Sequence, residues 1–252
     1  MRVGMEEKNL NPVAKNKIVG AILMLIGVFG VLVIIHRLSY YVFEYDPQFS
    51  PIDYGKYNIL SYFTVQSNIF VCIYLICASL GIFGVEKARK FAFSPVTGLL
   101  VTTYIIVTGA VYCCGIPLGF TPPFKWDTPA HSMASFIQVF HHMIIPPFMV
   151  VLWFFPFTDK KISRKILPLV GIYPLVYSLF SIVRGAVSDP AFFAYPFYDP
   201  EFIWDLFCPN KELNPVGGYL LMIPLLVVGI SMFIGVAALV KLIHTKRTKM
   251  TR

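Results

Sequence analysis

Charge is scarce in this chain. Of its 252 residues only 13% are Asp, Glu, Lys or Arg, about half the share of an ordinary soluble domain. Hydrophobic residues make up 57%, and mean hydropathy is +0.70. Together these put the chain in the membrane class before any motif is read. The five cysteines carry no CxxC spacing: Cys72, Cys77, Cys113 and Cys114 fall in apolar stretches, and only Cys208 falls in a polar loop. Neither a zinc site nor a disulfide framework is indicated. Internal repeats, low-complexity tracts and a soluble domain are missing too.

What is present is long apolar runs. A hydrocarbon core of ~30 Å needs about 20 apolar residues of helix. Six stretches meet that length, at 18–36, 58–83, 95–117, 132–157, 166–188 and 216–243. The fold expected is an all-α polytopic bundle of six transmembrane helices, with an arm at 1–17 and a basic tail at 244–252. The first stretch is too long for a signal-peptide core, and no small-x-small cleavage site follows it, so it reads as a retained helix.

The formal charge of +8 is unevenly spread. Basic residues gather in the N-terminal arm (Lys15, Lys17), the second connection (Lys87, Arg89, Lys90), the fourth (Lys160, Lys161, Arg164, Lys165) and the tail (Lys246, Arg247, Lys249). Arg37, Lys56, Lys125 and Lys211 lie on the other side, together with most of the 13 acidic residues. The positive-inside rule then predicts a multi-pass protein of the cell membrane with both termini cytoplasmic. Basic charge distributed this way is a topology signal with an affinity for anionic lipid, and no nucleic-acid partner is expected. The outer connections (37–57, 118–131, 189–215) are long and rich in Tyr, Phe, Pro and Trp, and are expected to fold back over the mouth of the bundle.

Acidic residues are absent from all six spans. That argues against an acidic proton relay, a carboxylate-held metal and a cation-coupled transporter, since polar groups inside lipid are costly and mark function. Two spans do carry polar clusters. Ser61, Thr64 and Asn68, at spacings of three and four, share a face of the second, with Gln66 and Ser67 beside them. Ser135, Gln138 and His141 or His142 repeat that spacing in the fourth, and Pro146-Pro147 should kink the helix just beyond. Arg184 closes the fifth span, and the loop AYPFYDP follows. All of these fall in the outer half. Helix packing and carbonyl bonding account for many membrane Ser and Thr residues, an interfacial Arg is most simply a snorkelling anchor, and Asp199 and Asp205 are most simply turn residues. Adjacent histidines point about 100° apart, so at most one of His141 and His142 faces a given site. Being on one helix, they also fail the requirement of haem for facing ligands from different helices.

The strings YFTVQSN, HHMIIPP with Trp153 beyond it, YPLVYSLFSIVRG and AYPFYDP resemble a bacterial family of six-helix membrane proteins. That family is distantly similar to the eukaryotic androgen-induced-gene-one family, whose members cleave fatty acid esters of hydroxy fatty acids with a Thr and a His. The resemblance implies Thr64 as nucleophile and His142 or His141 as its base, with His142 preferred on the spacing to Pro146. A second histidine of the eukaryotic motif falls here on Gln138 or Val139. Tyr195, Pro196 and Phe197 match the shared YPF. A Thr–His dyad is chemically coherent, because a hydroxyl becomes nucleophilic when an adjacent base takes its proton. Asn68 or Gln66 then orients the base or donates to the oxyanion, and Gln138, Arg184, Tyr195 and Asp199 complete a substrate site. Membrane lipids and a lipid ester are the expected partners, and no cofactor is implied. The same polar pocket would also suit a lipid-binding or transport protein that performs no chemistry.

Overall fold

The computed structural model describes residues 10–43, 58–119, 124–189 and 191–250. Most of the 37–57 connection, including Lys56, lies outside them. Among the described residues every regular element is a helix, and the only β contact is an isolated bridge between Leu10 and Thr158. Six helices are long and apolar enough to cross a membrane: Lys17–Ser39, Phe63–Ile82, Pro95–Gly115, Pro129–Phe154, Arg164–Val187 and Pro215–Thr248.

Helix α1 (Lys17–Phe43) is apolar around most of its circumference. Ile18, Leu25, Leu32 and Ile35 project outward, more than half exposed. Such a helix satisfies its own backbone and offers only hydrocarbon to the outside, the one arrangement lipid tolerates. Its other face packs on α2 (Phe63–Ile82). Gly27 makes that approach close, since a Cβ there would meet the Ile76 side chain at 2.8 Å. Ser79 Oγ donates to the Gly20 carbonyl at 2.7 Å across the same seam. Small residues of this kind let membrane helices pack without a hydrophobic driving force.

A short α3 (Glu86–Ala92) leads to α4 (Pro95–Gly115), which packs against α2, the fourth span and the last helix. Leu99, Thr103 and Ile105 of α4 are fully enclosed. The fourth span is interrupted. It runs as α5 (Pro129–Val139), a π-helical turn at Phe140–Ile144, and α6 (Ile145–Phe154). Pro146 and Pro147 are the physical cause. Neither has an N–H, and a proline ring clashes with the carbonyl four residues back. The wider turn absorbs this, with Ile145 N–H reaching the Phe140 carbonyl, five residues back. π turns of this kind recur at functional sites.

The fifth span comprises a 3-10 turn at Arg164–Ile166, α7 (Leu167–Val170) and α8 (Ile172–Val187). A short α9 (Pro200–Phe207) precedes the last helix, α10 (Pro215–Met250). The tail expected at 244–252 is helical as far as Met250 and folds onto the body: His244 is 1% exposed, its Nε2 pairs with the Lys160 carbonyl at 2.9 Å, and Arg247 bridges Asp159 at 2.9 Å. Asn11 meets the same connection, its Nδ2 donating to the Pro156 carbonyl at 2.9 Å and to Asp159 Oδ1 at 3.1 Å. The described N- and C-terminal segments therefore gather at one end of the bundle. At the opposite end, residues 191–200 fold over the N-terminus of α2.

Candidate functional site

Helix α2 starts at Phe63, after a 3-10 turn at Asn58–Ser61. Its first amides have no helical acceptor, and Tyr62 at the N-cap supplies no side-chain bond. Two tyrosines from elsewhere take that role. Phe63 N–H donates to Tyr177 Oη at 3.0 Å, and Thr64 N–H donates to Tyr195 Oη at 3.2 Å. Thr64 is thus a first-turn residue, buried to 9% exposure, at the positive end of the α2 dipole.

His142, on the π turn, places Nε2 at 3.1 Å from Thr64 Oγ1. Its Nδ1 is 2.9 Å from the Gln138 carbonyl. A carbonyl can only accept, so in the neutral ring Nδ1 carries the proton and Nε2 is the bare acceptor. It follows that Thr64 Oγ1–H donates to His142 Nε2. Tyr195 Oη, 3.2 Å from Thr64 Oγ1, then donates to that oxygen while accepting from the Thr64 amide. The chain reads Tyr195 O–H to Thr64 O–H to His142, closed by His142 Nδ1–H on Gln138. Its polarity favours removal of the Thr64 proton by the ring. Burial pushes the Tyr195 phenol above its ordinary value, with the Thr64 contacts pulling partly back, so it remains a donor at neutral pH.

Three further features hold His142. Tyr112 of α4 stacks on its ring at 3.7 Å between centroids and 13° between planes. Gly109, one turn earlier, lets α4 approach, because a Cβ there would meet the His142 carbonyl and the Pro146 ring at 2.8–2.9 Å. Asn68 Nδ2 donates to the Thr64 carbonyl at 2.9 Å and reaches the His141 carbonyl at 3.5 Å. It ties α2 to a carbonyl released by the prolines.

The remaining residues read from the sequence spread out. Gln66 faces α8, accepting from Tyr173 Oη and donating to the Leu60 carbonyl at 2.9 Å. Gln138 acts through its carbonyl rather than its side chain. Ser135 secures the connection before α5 through both backbone groups of Lys125. Arg184 donates to Ser61 Oγ and Asn58 Oδ1 and lies 4.7 Å over the Phe192 ring, so it braces the start of α2. Asp199 caps α9 by accepting from Glu201 N–H at 2.9 Å. His141 is fully buried, and both its ring nitrogens lack a hydrogen-bond partner, an arrangement that costs about 1–3 kcal/mol for each unmet group.

Sequence reasoning missed Tyr112 and Gly109. They share a face of α4 at a spacing of three, but nothing local says which helix that face meets. Among the described residues no group of three or more His, Cys, Asp or Glu side chains is arranged to hold a metal ion.

Fold and hydropathy together define an all-α, multi-pass integral membrane protein. Comparison with protein-family models, curated proteins and solved structures finds no match to this chain.

Proposed function

We propose that this protein is an intramembrane hydrolase of lipid esters, with Thr64 as nucleophile and His142 as general base. The observation carrying the reading is the 3.1 Å contact between Thr64 Oγ1 and His142 Nε2, with the His142 tautomer set by the Gln138 carbonyl. The resemblance of YFTVQSN and HHMIIPP to the ester-cleaving family supports the same pair.

In this reading Thr64 Oγ1 attacks the ester carbonyl carbon as His142 Nε2 takes its proton. The tetrahedral intermediate collapses, and the ring returns that proton to the departing alkoxide. A water, deprotonated in turn by His142, attacks the acyl carbonyl, and the ring returns that proton to Thr64 Oγ1 as the fatty acid leaves. Tyr195 O–H, beside Thr64 Oγ1, is the donor this reading offers the developing oxyanion, with the positive end of the α2 dipole behind it. Among the described residues no carboxylate backs the imidazole. The Gln138 carbonyl and the stacked Tyr112 ring steady it, so this is a dyad.

The basic connections and the meeting of Asn11 and Arg247 with residues 156–160 support a cell-membrane protein with cytoplasmic termini. Thr64 and His142 then lie in the outer half, reached by a lipid sideways from the outer leaflet.

The test uses purified protein in neutral detergent with a fluorogenic long-chain ester and a fluorophosphonate probe. Turnover and labelling at Thr64, both lost in Thr64→Ala, are expected. Unchanged turnover in Thr64→Ala would remove Thr64 as nucleophile. No turnover and no labelling in the unmodified protein would leave a lipid-binding protein using the same pocket.

A further inference from the structure

Thr64 is 9% exposed and His142 is 5% exposed. A lipid ester cannot touch either until part of the surrounding wall moves, and the walls are not held alike. On one side α4 sits against the His142 carbonyl and the Pro146 ring with no room to spare at Gly109. On another, Asn68 ties α2 to backbone of the fourth span. Moving either means repacking a dense core. The remaining wall is the segment 191–198, which carries only a 3-10 turn at Pro196–Tyr198.

Both ends of that segment are fixed on α8. At the first end Phe192 N–H donates to Ser188 Oγ at 2.9 Å, and the Arg184 guanidinium lies 4.7 Å over the Phe192 ring. Phe193 packs where a Cβ on Gly185 would otherwise be. At the second end Tyr198 is buried and pairs its Oη with Ser178 Oγ at 2.8 Å.

Between these anchors the hold is looser. Tyr195 Oη meets the Thr64 amide and the Thr64 hydroxyl at 3.2 Å each, the long end of the range for such bonds. The ring of Phe197 stacks on that of Tyr195, with 5.0 Å between centroids and 6° between planes. Phe197 is itself 39% exposed, and Pro196 beside it is exposed too. The backbone here is a closed unit: Tyr198 N–H donates to the Tyr195 carbonyl and Asp199 N–H to the Pro196 carbonyl, both at 3.0 Å. The turn therefore keeps its shape, and the freedom left is that of the two rings. Two neutral hydrogen bonds and one aromatic stack are each worth little net, so the rings are the cheapest part of the wall to move.

We propose that Tyr195 and Phe197 form a side-chain lid over the Thr64–His142 pair. The lid is shut in this structure, swings aside to admit a lipid ester, and returns the Tyr195 hydroxyl to Thr64 Oγ1 when it closes. Closure of this kind sequesters a reaction from water. Phe197 touches no reacting atom and acts through Tyr195, as a positioning residue. The proposal rests on the lipid-ester reading for what enters.

Access to residue 64 tests the lid without turnover. The full-length Thr64→Cys protein, in neutral maltoside detergent, is treated with N-ethylmaleimide. Peptide mass spectrometry follows the adduct at residue 64 against those at exposed Cys113 and buried Cys72. With the lid intact, residue 64 is expected to react at least about tenfold more slowly than Cys113, since a guarded site reacts only from its open population. Adding Phe197→Ala is expected to raise the residue-64 rate at least about fivefold with Cys72 unchanged, because the opening is local. Val187→Ala, at an exposed apolar residue off the lid, should leave that rate as it was. A smaller difference from Cys113 with the lid intact overturns the proposal, whether or not any Phe197 variant folds. So does a smaller rise in folded Phe197→Ala. Should that variant unfold, seen as a rise at Cys72, Phe197→Leu removes the stack but keeps the apolar bulk and carries the same expectation. Because access is read alone, a chain that hydrolyses no ester can still show the lid, and an active hydrolase can lack it.

Discussion

Thr64 Oγ1 and His142 Nε2 are 3.1 Å apart, though 78 residues separate them in the chain. The contact joins the first turn of α2 to the π turn of the fourth span, and the two partners are oriented by a loop tyrosine and by a carbonyl one turn back in that span. Tyr195 sits on the threonine, and the Gln138 carbonyl fixes the imidazole. That convergence is the physical basis for the following expectations.

Thr64→Ala removes the hydroxyl and is expected to lower ester turnover by on the order of 10³ or more, the scale seen when a nucleophile is deleted. Thr64→Ser keeps the oxygen and should restore most of it. Steady-state kinetics on both variants, with circular dichroism to confirm folding, checks the pair.

The two histidines should differ in kind. His142→Gln removes the base and is expected to reduce kcat by about 10²–10⁴, with labelling at Thr64 falling alongside. His141 touches no part of the Thr64–His142 bond and makes no hydrogen bond of its own, so His141→Gln should leave kcat within a few fold of the unmodified protein. Equal loss of kcat in both variants would contradict the assignment of His142 alone.

Tyr195→Phe deletes the donor to Thr64 Oγ1 and the cap on the Thr64 amide. The expected cost is 10²–10³ in kcat, of the order reported for removal of one oxyanion donor. A pH profile adds a sign. Burial raises the folded pKa of this phenol above the unfolded value, so its contribution to stability is complete below the unfolded pKa of about 10 and is lost as pH rises through the folded one. Alkaline unfolding monitored by far-UV circular dichroism should therefore begin at lower pH in proteins that retain Tyr195 than in Tyr195→Phe.

Gly109→Val probes the packing behind His142. A side chain there meets backbone and a proline ring at 2.8–2.9 Å, neither of which can swing away. Overpacking of this kind costs about 1–3 kcal/mol and would push the π turn from α4. A lower Tm together with reduced probe labelling at Thr64 is expected, and labelling at the unmodified rate would show that the Gly109 contact does not position His142.

Much of this was legible in the sequence, and the reasons are specific. Thr64 and the histidine pair stood out because polar side chains are costly inside an apolar run. Pro146-Pro147 announced a broken helix. Hydropathy falls at His36-Arg37 while the helix runs on to Phe43; lipid sets where an apolar run must stop, but a helix ends only where its backbone bonding is lost or capped. His244 misled, reading as tail because charge follows it, whereas the helix continues and buries it. Asp199 looked suited to a site and serves as a helix cap.

The sequence alone determined six membrane helices, because hydrocarbon offers no hydrogen-bond partner and a 20-residue apolar run has one way to satisfy its backbone there. It also determined which residue types were available for chemistry. Only the tertiary structure decided that His142 rather than His141 meets Thr64 and that Tyr195 returns to cap α2. Each of these depends on helix phase and on what a distant segment presents. Neighbouring residues on a helix differ by about 100°, a π turn shifts that phase again, and no local stretch of sequence records the face of the helix it will meet.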